Sequence, residues 1–492
     1  MTIPYFHIEF FFAKKNLTSE KERDRMELWN TWFALVNQFK SACAREKTFF
    51  WLVIVLIGFT IKFDVLGVTS LARGAGLQSC YYTCMLNFFH SSGIDLIKLR
   101  ALWVQLIFDR FSGIIKVNGR CLIVGDGIKI GKEGKKMPGV KWLHQESESN
   151  SKAEHIMGHS LQAIAILVNG LCTIFAVPLM AEIHEGIRYT YKDSRTLLDK
   201  MFELLLCVNS PENFYFIADK YYCSGRFMKQ LLSSGMHLVT MMKKNAVAYY
   251  PLKSNDKRRG RPKKYGKKVK LFDLFKTDLP FITAPMPGNN KLTIQYCVIS
   301  LFWKPAGQLV NFVFVIHPEK GNAIILSTDL TLQPLDAIFC YSIRFKIEVA
   351  FKQAVHQIGA FMYRFWLKIM KPRKRGSGNQ ELQFASKVVK QKVSKKINAY
   401  HIFIQLGFIA QGLMQYLSIH STQLIWGNFG TWLRTIRKNT LPSEKVVALA
   451  MTRTYFEFLK DDSIFTIFKK FLRHRMGMCQ KQTVNAEIKE AA

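Results

Sequence analysis

Three carboxylates sit where carboxylates are costly. Asp126 follows the apolar run 121–124, Asp219 follows the run 214–218, and Glu348 lies inside a helix-patterned stretch that starts near Tyr341. A carboxylate at the end of a buried strand is desolvated, and it is unfavourable there unless a cation satisfies it. Acids are scarce in this chain, 35 against 70 Lys and Arg, so three in apolar settings point to a shared cation. Oxygen-only ligands suit hard divalent ions. Two Mg2+ or Mn2+ ions held about 3.5–4 Å apart would activate an attacking water or hydroxyl and stabilise a leaving 3′ oxygen, which is phosphodiester chemistry. Neighbouring strands can set Asp126 beside Asp219, and a helix crossing the sheet can lay Glu348 over both.

The spacing around Glu348 adds to this. Tyr341, Arg344, Glu348 and Lys352 recur at intervals of three or four and share one helical face, with Ile343, Ile347, Ala350, Phe351 and Ile358 on the apolar side. Arg344 could grip a phosphate there. The same spacing also describes an exposed face laced by i,i+4 ion pairs. Asp329, ending the run "ILSTD", has the strand-end position of a reserve ligand. His159 and His184 read as hydrogen-bonded sheet histidines. Cys80, Cys84 and His90 fit no common zinc spacing, and the two cysteines read as helical core residues.

The elements that must position these acids follow from composition and pattern. At 492 residues and 49% apolar content, the chain can fill the cores of roughly two to four domains. A formal net charge of +35 calls for a polyanion, nucleic acid before an anionic membrane. The apolar run 48–61 falls short of the ~20 residues a span requires, and Lys62 and Asp64 follow it, so it reads as a buried helix and no membrane is expected. The N-terminus lacks the pattern of a secretory signal, and ten scattered cysteines suit a reducing compartment.

Residues 1–115 read as a helical region, with a helix-turn-helix outline across 67–93 in which Thr69 or Ser70 caps one helix, 74–76 turn, and Ser79 caps the next. From Arg120 the texture is β-rich: "RCLIVGDGIKIG", a hairpin turning at Asn169 and Gly170, and "FYFIADKYY", then a helix and the strand "HLVTMMK", the alternation of an α/β sheet over 116–244. A basic, β-rich insertion spans 245–330. Within it Arg258, Arg259, Arg261, Lys263 and Lys264 are placed to contact DNA phosphates, while Arg259-Gly260-Arg261-Pro262 also has the form of a segment that enters a narrow A·T minor groove. Residues 331–386 return to the core with the Glu348 helix, and 387–492 are helical and basic.

"GDG" at 125–127, "ADKYY" at 218–222 and "YSIRFKIEVAFK" at 341–352 together resemble the three acidic motifs of DDE transposases of the IS4 type, whose Tyr, two residues, Arg, three residues, Glu signature is matched by Tyr341, Arg344 and Glu348. The likeness covers about 67–416. It departs at Val355, where the family has Lys. The resemblance implies an RNase H-like α/β core interrupted by a β-rich insertion, with helical N- and C-terminal regions. It implies Asp126, Asp219 and Glu348 as catalytic metal ligands for two Mg2+ or Mn2+ ions, and Tyr341 and Arg344 as DNA contacts, with Lys352 or His356 to stand in on the DNA for the Lys missing at 355. The implied activity is cleavage at transposon ends and strand transfer into target DNA. The partners would be double-stranded DNA, as terminal inverted repeats and as target, and a second copy in a homodimer on DNA. The setting would be the cytoplasm, beside a bacterial nucleoid. A structure-selective nuclease of the same fold, or a non-catalytic DNA-binding protein, would retain parts of this pattern.

Overall fold

The run 120–131 forms strand β1 (Arg120–Gly131), and its alternation shows how the molecule is layered. Cys121 and Ile123 are buried in one apolar cluster, Leu122 and Val124 in a second on the opposite face. A strand with both faces covered reads as a continuous apolar run, as this one does. The computed structural model describes residues 19–145, 153–171, 173–190, 193–252, 263–430, 440–461 and 465–478, with side chains from residue 26 onward.

The strands that follow are β2 (Lys141–His144), β3 (His155–Gly170), β4 (Thr173–Ile183), β5 (Phe214–Ala218) and β6 (His237–Met241). β1, β3 and β4 form an antiparallel meander. β5 and β6 then add in parallel on the other side of β1. This is the strand arrangement of an RNase H-like core. The parallel steps need crossovers, which the helices α6 (Leu197–Leu206) and α7 (Gly225–Ser233) supply, α6 starting at a capping box between Thr196 and Asp199. The hairpin turn lies beyond Asn169 and Gly170, both of which stay in the ladder opposite Ile174 and Thr173.

The β-rich insertion is not a separate layer but extends the core sheet. Strands β7 (Val247–Tyr249), β8 (Lys268–Lys270), β9 (Ile282–Met286), β10 (Asn289–Trp303), β11 (Gln308–His317) and β12 (Gly321–Ser327) continue the same sheet. β12 pairs antiparallel with β6, and β11 and β10 follow outward. The free edge of β6 presents a row of unpaired backbone groups, and this segment satisfies them.

Helices cover both faces. On the face of Leu122 and Val124 lie α8 (Pro334–Ser342) and α9 (Lys346–Gln353), whose Ala337, Ile338, Ile347 and Ala350 join that cluster. On the other face the N-terminal helices α1 (Ser19–Asn37), α2 (Glu46–Ile61), α3 (Val68–Gly74), α4 (Tyr82–Phe89) and α5 (Leu96–Arg110), with α2 buried all round, pack with the C-terminal helix α10 (Lys387–His420) in one core. The helical, basic C-terminal region thus also supplies much of this core. Among the described residues α10 is the one helix long and apolar enough to cross a membrane, and 89% of its apolar window is buried inside the protein.

The helix-turn-helix outline changes in detail. The first helix (Val68–Gly74) is preceded by Gly67 rather than capped by Thr69 or Ser70, and the buried Ser70 hydroxyl bonds Asp64 instead. The second (Tyr82–Phe89) follows a short 3-10 turn, Ser79–Tyr81. It turns Met85, Phe88 and Phe89 inward, so Cys80 and Cys84 are exposed rather than core residues.

Candidate active site

The register of β1 and β5 decides where two of the acids go. Val124 is the partner of Ile217 in a parallel pair, so Asp126 and Asp219 occupy equivalent positions two residues further along neighbouring strands. Side chains alternate across a sheet, and strands lie about 4.8 Å apart. Asp126 shares the parity of Leu122 and Val124, and Asp219 that of Tyr215 and Ile217, which places both on the face covered by α8 and α9. Each is held by its own backbone turn. Asp126 Oδ1 accepts from Gly127 N at 2.8 Å, and Asp219 Oδ1 from Tyr221 N at 2.9 Å. Gly125 points to the opposite face, where the Phe216 ring fills the space that any Cβ would need. The glycine before the acid is thus required by the neighbouring strand.

Glu348 arrives differently from the expected unbroken helix. The helical stretch breaks after Ser342, and α9 begins at Lys346, with Arg344 in the tight turn between them. The turn is closed by three-residue hydrogen bonds, Arg344 N to Tyr341 O and Ile347 N to Arg344 O, each at 3.2 Å. It keeps Ile343 and Ile347 in the apolar cluster while bringing Arg344 over the sheet. The Arg344 guanidinium donates to Asp126 Oδ2 at 3.3 Å and to Glu348 Oε1 at 2.8 Å. Its side chain is only 17% exposed, whereas that of Glu348 is 56% exposed. Lys352 is exposed one turn beyond Glu348, and α9 continues into a π-helical turn, Ala354–Ile358, that contains Val355.

The electrostatics are those of a crowded acid site. Burial pushes the Asp126 carboxyl up to about 6, with Asp219 and Glu348 adding to the rise and Gly127 N–H and Arg344 opposing it. Tyr341, half-buried at the end of α8, is raised by burial, with Asp219 and Asp126 contributing. Beneath the two aspartates lies a pair not singled out from sequence: the Tyr222 hydroxyl donates to Gln162 Oε1, both buried. Burial, then Asp126 and Asp219, raise the Tyr222 hydroxyl well above its ordinary range, so it remains a neutral donor. Gln162 sits opposite Gly127 in the ladder, a position no local pattern marks.

Three carboxylates from separate elements, facing one another with Arg344 among them, form an oxygen-only donor set that fits a hard divalent ion. The set is not closed on one point. Among the described residues, the one group of three His, Cys, Asp or Glu side chains whose ligand atoms all lie within 4.8 Å of one another is His144, Glu154 and His155, on the exposed ends of β2 and β3.

The remaining candidates fall elsewhere. Asp329 is at the opposite end of the strands, because β12 runs antiparallel to β6 and, with Ser327 opposite Val239 and Thr328 N bonded to Leu238 O, delivers it to the His237 end rather than the Met241 end. There it accepts from the Tyr215 hydroxyl and from Thr331 N and Oγ1. His159 is buried, bonded to Pro138 O at 2.8 Å, and held neutral by burial, its value lowered to about 3. His184 is also buried, but its Nε2 has no hydrogen-bond partner, unlike the hydrogen-bonded histidine expected. His90 bonds Leu86 O, Tyr363 and Lys396 rather than a cysteine. Lys263 and Lys264 are exposed ahead of β8, and Arg258, Arg259 and Arg261 lie outside the described residues.

Residues 34–277 match the family model described as a DDE superfamily endonuclease, a span that holds Asp126 and Asp219 and ends before Glu348. The match supports an endonuclease domain of the DDE type in this chain. Comparison with curated proteins finds no match. Among solved structures, the chain is similar to one in a piggyBac transposase synaptic complex with hairpin DNA, at 11% identity and a TM-score of 0.34, covering 92% of this chain and 85% of that one.

Proposed function

We propose that the chain is a DNA transposase that cleaves at the ends of a mobile element and joins the freed 3′ ends to target DNA. The observation that carries this reading is that Asp126 lies beside Asp219 at the ends of adjacent parallel strands and is linked to Glu348 from α9 through the guanidinium of Arg344. The Tyr341, Arg344, Glu348 spacing supports assignment to the IS4 type. Bound Mg2+ or Mn2+, two ions to a site, supplies activation of the attacking oxygen and charge neutralisation at the leaving 3′ oxygen. Asp126, Asp219 and Glu348 hold that charge in place. Arg344, at the rim between two of them, is positioned to exchange a carboxylate for a phosphate oxygen as DNA enters. Tyr341 and Lys352 flank the entering strand. The polyanion that balances a charge of +35 is double-stranded DNA, met as terminal inverted repeats and as target by a homodimer working in the cytoplasm beside the nucleoid.

The test uses the full chain, Mg2+ and a labelled duplex carrying the inverted repeats that bracket the reading frame. Asp126→Asn, Asp219→Asn and Glu348→Gln should each lose cleavage by about 10³-fold or more, non-additively, while retaining duplex binding. A pre-cut 3′-hydroxyl end supplied with plasmid separates a transposase, which joins it, from a nuclease of the same fold, which does not. Near wild-type cutting by any one variant would remove that residue from the site.

A further inference from the structure

Twelve residues beyond the Glu348 helix, 364–375, carry six Lys and Arg and no acid. A basic run in a loop is usually a mobile, solvated segment, but this one is pinned along its length. At its start the buried Lys132 ammonium donates to Phe361 O and Tyr363 O, and the Tyr400 hydroxyl to Phe365 O at 2.6 Å. In its middle Leu367 N bonds Lys136 O at 3.0 Å and Arg373 N bonds Lys135 O at 2.8 Å. At its end Trp142 N bonds Ser377 O at 2.8 Å, and the Arg375 guanidinium lies 5.4 Å over the Trp142 ring. Ordering is therefore already met by the fold, and the cations are left outward. Arg364, Lys368, Lys374 and Arg375 are exposed and form no ion pair with a described residue. Trp366 stands among them 65% exposed, an aromatic face with no apolar cover.

The start of the segment is tied to the elements that carry two of the acids. Lys132 directly follows β1, six residues past Asp126, and Tyr363 follows the turn that ends the Glu348 helix. The five strand residues between Asp126 and the end of β1 span about 17 Å, the length of about five base-pair steps. We infer that residues 364–375, with Lys135 and Lys136, form a docking platform for the phosphate backbone of duplex DNA, about half a helical turn from the scissile phosphate. Fixed cations at that distance set the register of the duplex over the acids, and Trp366 packs against a sugar edge.

This inference rests on the proposed function, and the experiment separates the two. In the full chain, Arg364→Gln, Lys368→Gln, Lys374→Gln and Arg375→Gln are combined, and binding of a labelled duplex of about 40 base pairs is followed by anisotropy from about 50 to 300 mM salt. The slope of log affinity against log salt should fall by ~0.9 per lost contact, roughly 3 to 4 in all, while the melting temperature falls only slightly, through loss of the Arg375–Trp142 contact, because the other replaced groups are exposed. If the wild type binds and cuts duplex with an identical slope in the quadruple variant, the platform is wrong and the transposase reading stands. Should the variant lose affinity for duplex RNA alone, the platform serves another polymer and the inference also fails. A wild type that binds no duplex sinks both.

Discussion

Arg344 joins an acid on a strand to an acid on a helix, donating to Asp126 Oδ2 at 3.3 Å and to Glu348 Oε1 at 2.8 Å. One guanidinium thus offsets the mutual repulsion of the carboxylates until another cation arrives. Removing it should make the empty site costly and a bound ion more valuable. Arg344→Gln is expected to lower stability without divalent metal by about 1 kcal/mol, the half-exposed Glu348 contributing little, and to enlarge the rise in melting temperature on adding Mg2+. Identical melting and an identical Mg2+ response in wild type and variant would show that Arg344 does not hold the acids.

The raised Asp126 carboxyl sets a pH dependence. Its folded value of about 6 lies above the ordinary 3.8, so between those limits the folded chain keeps a proton that the unfolded chain has released. Stability attributable to this group therefore falls as pH rises from about 4 to 6, and the penalty is full above that. Asp126→Asn should raise the metal-free melting temperature at pH 7.5, by the equivalent of about 1–2 kcal/mol after allowance for solvent access, and have no effect near pH 4. Thermal scans across that range decide it. A stabilisation independent of pH would mean that packing, not charge, is responsible.

The two glycines around Asp126 should behave oppositely. A Cβ at position 125 would overlap the Phe216 ring, whereas one at 127 meets nothing closer than 3.8 Å. Gly125→Ala is expected to cost about 1–3 kcal/mol through overpacking, and Gly127→Ala less than about 0.5 kcal/mol. Phe216→Leu should recover part of the loss at 125 and give a non-zero coupling in a double-mutant cycle. Equal costs at the two glycines would contradict the packing account.

Lys263 and Lys264 are exposed where the basic run 257–270 enters β8. If they track phosphates, Lys263→Gln with Lys264→Gln should weaken binding to all duplexes alike and lower the salt slope by ~0.9 for each contact. Loss confined to A·T-rich duplexes would favour minor-groove insertion, and an unchanged slope would take these two lysines off the DNA surface.

Much of this site was legible from residue type and local period. Burying a carboxylate at the end of an apolar run is costly in any fold, so Asp126 and Asp219 stand out by their sequence neighbours alone, whereas Glu348, 56% exposed on its helix, stands out by its spacing from Tyr341 and Arg344. The strands 120–131, 214–218 and 237–241 and the crossover helix that precedes the third of them follow from runs of apolar residues punctuated by Gly and Ser. Local pattern does not extend to long-range partners. Asp329 has the same strand-end signature as Asp219, and only the antiparallel pairing of β12 with β6 sends it to the far end of the strands.

The sequence by itself determined the core strands, their apolar runs and the excess of positive charge, because these depend on each residue and its near neighbours. Tertiary structure alone decided the rest. It joined the β-rich segment to the core sheet, since only a free edge on β6 gives those strands backbone partners. It also broke the helix at 343–345, because Arg344 must reach two acids while Ile343 and Ile347 stay buried, a compromise between partners 218 and 4 residues away that no local period can express.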